Sequence, residues 1–311
     1  MPDEIVTKFT VTPIDVDNVE ERWDQPVIGI TKDLTFEDTT GLIPPDGFEL
    51  WKEYISKKDR DRLASTRHAL VHRFQGTVAS RDRDEDSRMY VSHAFVCLRL
   101  IRPTRRRFQV IQGYLREGKS EIYSFTNPPL EIMNIPITQA LNSVRSKDVL
   151  ELARLMPTFM QLSKTGGPLY IQRAVRFYEQ GYSATAEPAL QFISWMIGIE
   201  ALFSKGEPID RKRLVEEIRD RYGKIDIREP SWRSYFGRPE APLLVRDHLE
   251  ELFMLRDALV HARPIPDAFR VPEPDYLGHS HELAAYLNAA AATILQAAIL
   301  QEISELESRS R

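Results

Sequence analysis

The stretch Leu243 to His261, LLVRDHLEELFMLRDALVH, decides how the second half of the chain folds. At 100° per residue, Val245, Leu249, Leu252, Leu259 and Val260 fall within one apolar arc, the pattern of a helix that packs by one face. Arg256 sits in the middle of that arc. An arginine aimed at the apolar side is costly unless an anion meets it. The anion is either an internal carboxylate, such as Glu200, or a bound phosphate. Asp257 and His261, spaced i and i+4, lie beside each other at the edge of the arc, about 40° apart.

Similar helical runs surround this one: Ser146 to Met160, Pro168 to Tyr182, Pro188 to Phe203, Arg211 to Tyr222 and His281 to Leu306. Pro188 suits a first helical turn, and Gly166-Gly167 and Gly206 punctuate the connections. Six helices joined by short links predict a bundle. The proline-rich loop from Arg263 to Gly278 follows His261 directly, where a lid or binding loop is useful. The stretch Leu283 to Leu300 is uncharged over 18 residues. It is dominated by alanine and carries Asn288, Thr293 and Gln296, so it reads as a packed helix and not a membrane span.

Towards the N-terminus the texture differs. The first 45 residues read as polar and irregular, with a turn at Ile43-Pro44-Pro45-Asp46-Gly47. Phe48 to Phe74 reads as helical through Leu63, Leu70, Val71 and Phe74, and Arg81 to Asp86 as a solvated mixed-charge loop. Met89 to Arg102 reads as a helix stopped before Pro103, and Phe108 to Leu115 and Ser120 to Phe125 as strands around a turn at Glu117-Gly118. The change of texture after Pro128-Pro129 predicts an α+β chain: a mixed α/β domain over residues 1–140, then an all-α bundle over 141–311.

With 311 residues, 42% hydrophobic and 28% charged, the chain is long enough for two ordinary cores. Its formal net charge of -4 excludes a protein that coats nucleic acid through overall basicity. The single cysteine, Cys97, lies among Phe95, Val96 and Leu98 and reads as a small buried hydrophobe. One cysteine cannot form an intrachain disulfide, and the N-terminus has no signal-peptide pattern. The expectation is a cytoplasmic protein without membrane attachment.

Several motifs fail on context. Gly113-Tyr114-Leu115-Arg116-Glu117-Gly118-Lys119-Ser120 matches the phosphate-loop spacing, yet a strand follows it where a helix N-terminus is required. It reads as a hairpin. Arg99, Arg102, Arg105, Arg106 and Arg107 read as a solvated connection. His279 and His281 flank Ser280, a helix N-cap, and have no accompanying ligand at metal spacing. No cofactor or metal is expected. The copy Arg67-His68-Ala69-Leu70-Val71-His72 reads as a helix with a structurally paired arginine.

The segment Leu255-Arg256-Asp257-Ala258-Leu259-Val260-His261 resembles the signature of the HEPN superfamily: an arginine, a polar residue, a short gap and a histidine near a helix end. Upstream, Ser194-Trp195-Met196-Ile197-Gly198-Ile199-Glu200-Ala201-Leu202-Phe203 resembles the matching helix of its abortive-infection-like (Apea-like) branch, and Phe177-Tyr178 fits the helix before it. The resemblance covers about half the chain, from Ser146 onward. Asp257 stands where asparagine is more frequent, and Ala262 where glycine commonly follows the histidine.

The resemblance implies an HEPN-like bundle that acts as a metal-independent endoribonuclease, with a role in phage defence or of a toxin–antitoxin kind. The alternative it implies is a non-catalytic RNA- or nucleotide-binding or protein-interaction module. It also implies RNA as partner and a homodimer formed through the C-terminal bundle. Metal-free cleavage has a 2′-OH attack the adjacent phosphate, leaving a 2′,3′-cyclic phosphate. That chemistry needs a histidine to move protons and a fixed guanidinium at the phosphorus centre. The implied roles are phosphate stabilisation for Arg256, proton transfer for His261, orientation of His261 or ordering of water for Asp257, and support of Arg256 for Glu200.

Overall fold

The computed structural model describes residues 4–14, 27–39, 42–43, 67–103, 108–126, 144–164, 167–182, 188–226, 244–261, 263 and 280–310. The chain is α+β and divides into two compact units. The first comprises Met1–Leu130 and Asn142–Met160, and the second Glu131–Leu141 and Gln161–Arg311.

The first unit is built on a six-stranded antiparallel sheet. Its strands are β1 (Ile5–Ile14), β2 (Val27–Gly29), β3 (Leu34–Asp38), β4 (His68–Thr77), β5 (Ile111–Arg116) and β6 (Lys119–Phe125), in the order β2-β3-β4-β1-β5-β6. Helix α1 (Asp84–Ile101) packs against β1 and β4. Three of these strands fall within the first 45 residues, which the sequence reading left irregular, and β4 replaces the end of the helix expected over Phe48 to Phe74. The rest of that expected helix, and the turn at Pro44 to Gly47, lie outside the described residues.

For β1 and β4 the physical cause is burial on both faces of the sheet. Phe9, Val11, Ala69, Val71 and Ile111 form an apolar cluster on one face, with Leu42 and Ile43 packed into it. The opposite face mixes buried apolar residues such as Leu34, Phe36 and Leu70 with a buried polar patch under α1. Lys8 is 1% exposed there, and its ammonium donates to Asp84 Oδ1 at 3.1 Å and to the Ser80 carbonyl. Ser87 on α1 donates to Thr10 Oγ1 at 2.6 Å, Gln112 Nε2 donates to the Asp84 carbonyl at 2.9 Å, and His72 Nδ1 lies 2.7 Å from Ser87 Oγ. Lysine and threonine on a buried face give β1 no apolar run. In β4, burial on both faces produces a continuous apolar stretch that periodicity cannot distinguish from helix. Arg67 consequently flanks a strand and is exposed, with no helical arc to enter.

Asp84, Glu85 and Asp86, expected in a loop, form the first turn of α1, where the helix dipole favours carboxylates. The helix runs to Ile101, as the proline at 103 predicts. Cys97 is fully buried on it, and burial pushes its thiol pKa well up. Arg99 is also buried, with its guanidinium 4.5 Å from the Phe95 ring centroid, so it does not belong to a solvated connection. Arg102 lies 3.9 Å from Asp148, and Arg105, Arg106 and Arg107 lie outside the described residues. The β5–β6 hairpin turns at Glu117 and Gly118 with φ of 48° and 77°, the two positive values that a type I′ turn requires. The phosphate-loop spacing is thus a hairpin.

Helix α2 (Ser146–Lys164), the first expected for the bundle, lies mostly in the first unit. There the Phe159 ring meets the edge of His93 at 6.4 Å. The second unit contains α3 (Leu169–Gly181), α4 (Pro188–Ser204), α5 (Arg211–Tyr222), a 3₁₀ turn at Val245–Asp247, α6 (Leu249–Val260) and α7 (Ser280–Ser310). The helices α3, α4, α5 and α7 match the expected runs to within about four residues, whereas the run expected from Leu243 divides into the 3₁₀ turn and α6, which begins at Leu249. The side chain of His281 and all of His279 lie outside the described residues.

Helix α4 is central, packing against α3, α7 and α6. Trp195 is fully buried and its indole N–H donates to the Tyr178 carbonyl at 3.2 Å. Leu295 of α7 packs over Gly198, and seven residues further along the chain in both segments Lys205, just past the end of α4, meets Glu302 at 3.1 Å, so α4 and α7 run parallel. Ala289, Ala290, Ala291 and Ala292 are wholly buried on α7. Among the described residues no helix is long and apolar enough to cross a membrane.

Two predictions follow from the polar groups on that face of the sheet. Lys8→Met leaves the Asp84 carboxylate without its buried cation, so the folding free energy falls by about 3 kcal/mol. The double variant Lys8→Met, Asp84→Leu regains most of that loss, and urea denaturation of both reads the difference. His68 and His72 both have pKa values lowered by burial from an ordinary 6.5. The unfolded chain therefore binds protons more readily than the folded one below that value. Stability from this source is full above pH 6.5 and declines as the pH falls. The urea midpoint should drop between about pH 7 and about pH 5.5, and His68→Gln, His72→Gln should flatten that slope.

Candidate functional site

Helix α6 turns Arg256 towards α4; of the expected apolar arc Val245, Leu249 and Leu252 are buried, whereas Leu259 is half-buried and Val260 is exposed. Its Nη2 contacts both oxygens of Glu200, at 2.8 and 2.9 Å, and its Nη1 donates to Asp257 Oδ1 at 3.0 Å. The anion that meets Arg256 is therefore an internal carboxylate. Burial, the largest single influence, acts to lower the guanidinium pKa, but the charge and hydrogen bonds of Glu200 and Asp257 outweigh it and raise the value. The contact is not sealed. The Arg256 side chain is 22% exposed, Glu200 31% and Asp257 27%. All three line a cleft of about 850 Å³ in the second unit, together with Arg173, Phe177 and Arg211.

Arg211 enters the site from α5, and no local spacing in the sequence announces it. Its Nη1 donates to Asp257 Oδ2 at 3.0 Å, its Nη2 lies 3.5 Å from Glu250, and its guanidinium sits 5.6 Å from the Phe253 ring centroid. A chain of alternating charge results: Glu200, Arg256, Asp257, Arg211, Glu250. The Asp257 carboxylate thus bridges two guanidiniums, one on each oxygen, instead of holding an imidazole. Asp210 caps α5 by accepting from the Arg213 N–H at 3.1 Å, which sets Arg211 in the first turn.

His261 is the C-cap of α6 and is exposed. Its backbone N–H donates to the Asp257 carbonyl at 3.1 Å, closing the last turn. Among the described residues its ring makes no side-chain hydrogen bond, and it stands outside the cleft lining that holds Arg256. The structure therefore brings Glu200, Arg256 and Asp257 into direct contact and leaves His261 one helical turn away at the surface. Arg173 and Arg211 are the cleft cations that the sequence reading missed. Among the described residues no group of three or more His, Cys, Asp or Glu side chains converges on a site for a metal ion.

No family model matches the chain. No curated protein matches it, and no solved structure does either.

Glu200→Ala removes the strongest partner of a guanidinium that is only partly buried. Its cost is therefore modest, about 1 kcal/mol by denaturant titration. A loss above about 3 kcal/mol would instead mark the pair as a mainstay of the helical core.

Proposed function

We propose that the chain is a metal-independent endoribonuclease of the HEPN type, working through the end of α6. One observation carries this reading: an arginine held at the wall of an open cleft by Glu200, with an exposed histidine one helical turn beyond it on the same helix. A phosphodiester offers two non-bridging oxygens, as a carboxylate does, and so replaces Asp257 between Arg256 and Arg211. The two guanidiniums then carry the charge that grows at phosphorus. Proton transfer falls to His261. One histidine takes the proton from the attacking 2′-OH, and a second protonates the departing 5′-oxygen, leaving a 2′,3′-cyclic phosphate and a 5′-OH end. Each chain supplies one such histidine, so the reaction calls for a homodimer that faces two α6 ends across one strand. Asp257 in this scheme keeps the guanidiniums paired and in place until substrate arrives.

The second reading is an RNA- or nucleotide-binding module without turnover. It is favoured by the full internal neutralisation of Arg256, whose two Nη groups are both already engaged. The experiment is cleavage of a fluorescent single-stranded RNA in EDTA. The ribonuclease reading expects activity that EDTA leaves intact, a cyclic phosphate terminus, a loss of about 10²–10⁴-fold in His261→Ala and about 10²–10³-fold in Arg256→Ala. Binding without any cleavage establishes the module instead.

A further inference from the structure

The first turn of α5 is electrostatically inverted. Arg211, Lys212 and Arg213 occupy it and it holds no acidic residue, although the positive end of a helix dipole disfavours cations there. Arg213 is matched by Glu217 at 3.2 Å, and Arg211 by Asp257 and Glu250. Lys212 and Arg219 have no ion-pair partner among the described residues, and both are exposed. Spaced seven residues apart, they share one face of α5. That face lines a second cleft, of about 410 Å³, bounded by Arg211, Lys212, Val215, Glu216, Arg219 and Glu250.

Arg211 belongs to both clefts. Cations therefore continue from Arg256 to Arg211 and on to Lys212 and Arg219. From Arg211 to Arg219 is eight residues, about 12 Å of helix. A single strand laid out along a helix spaces its phosphates more widely than the about 3.4 Å rise of a stacked duplex strand, so that length spans about two phosphates. A cleft for a mononucleotide needs no such extension.

We propose that a single RNA strand gripped at Arg256 continues past Arg211 and along α5 over Lys212 and Arg219, so that the site takes a polynucleotide in preference to a mononucleotide. The inference rests on the ribonuclease or RNA-binding reading of the same cleft for its ligand class. The contact is to the phosphate backbone, so it carries no base preference. Glu216 on α5 and Glu250 on α6 line the same cleft, and their carboxylates disfavour phosphates placed away from Lys212 and Arg219.

The test uses the full chain and 2′-O-methyl oligonucleotides, which lack the attacking hydroxyl and report binding alone. Fluorescence anisotropy at several salt concentrations compares wild type with Lys212→Ala, Arg219→Ala for a dinucleotide and an octamer. Both substitutions lie on the exposed face of a helix, and circular dichroism checks that the fold is kept. The expected loss grows with length: under about twofold for the dinucleotide and about tenfold for the octamer, with the salt slope falling by about 1.4 for two lost phosphate contacts on a single strand. Equal octamer affinity and an equal salt slope in both proteins overturn the path along α5, even if the wild type cleaves RNA. A length-dependent loss in a protein that cleaves nothing supports the path and removes the nuclease reading. No binding of either oligonucleotide by wild type overturns both.

Discussion

Turning a guanidinium towards the inside of a helical bundle is costly unless an anion meets it. Much of the second unit is arranged around that constraint at Arg256. Helix α6 presents the arginine where α4 offers Glu200, and the neighbouring Asp257 then faces along the helix surface to the first turn of α5. Three helices meet at one chain of charges. Because the charges are partly exposed, their pairing contributes little to folding. What it supplies is position: two arginines fixed on either side of a single carboxylate, at the wall of an open cleft.

Helices α3 and α5 were legible because each buries one face, which writes a 3.6-residue period into sequence, whereas α4 and α7, buried on most sides, were legible from their long uncharged or nearly uncharged apolar runs. Pro168, Pro188 and Gly206 mark helix ends that the structure keeps within a residue or two. The sheet was half legible. The β5–β6 hairpin announces itself through a glycine turn. The strands β1 and β4 do not, because β1 carries Lys8, Thr10 and Thr12 into a buried seam with α1. Polar side chains that are inside and satisfied look the same in sequence as polar side chains outside. The six-residue segments beginning at Arg67 and Arg256 make the point sharply. They differ at one position, His68 against Asp257, yet one runs into a strand and the other closes a helix. Their surroundings decide, not their propensities.

The candidate site shows the same division. Arg256 and Glu200 were readable from geometry on one helix plus an unsatisfied charge, which limits the possible partners. Arg211 was not, since 46 residues separate it from Asp257 and nothing periodic links them. The role expected of Asp257 was drawn from its neighbour at i+4. In the fold its carboxylate is engaged across to another helix, an arrangement that only tertiary packing creates.

The sealed position of Cys97 has a practical consequence. With one thiol in the whole chain, and that one fully buried and hard to ionise, the native protein offers no reactive background to alkylating reagents. A cysteine introduced anywhere on the surface becomes the sole point of attachment for a dye or spin probe. Conversely, the rate at which the natural thiol is modified clocks the opening of the sheet-bearing unit and of nothing else.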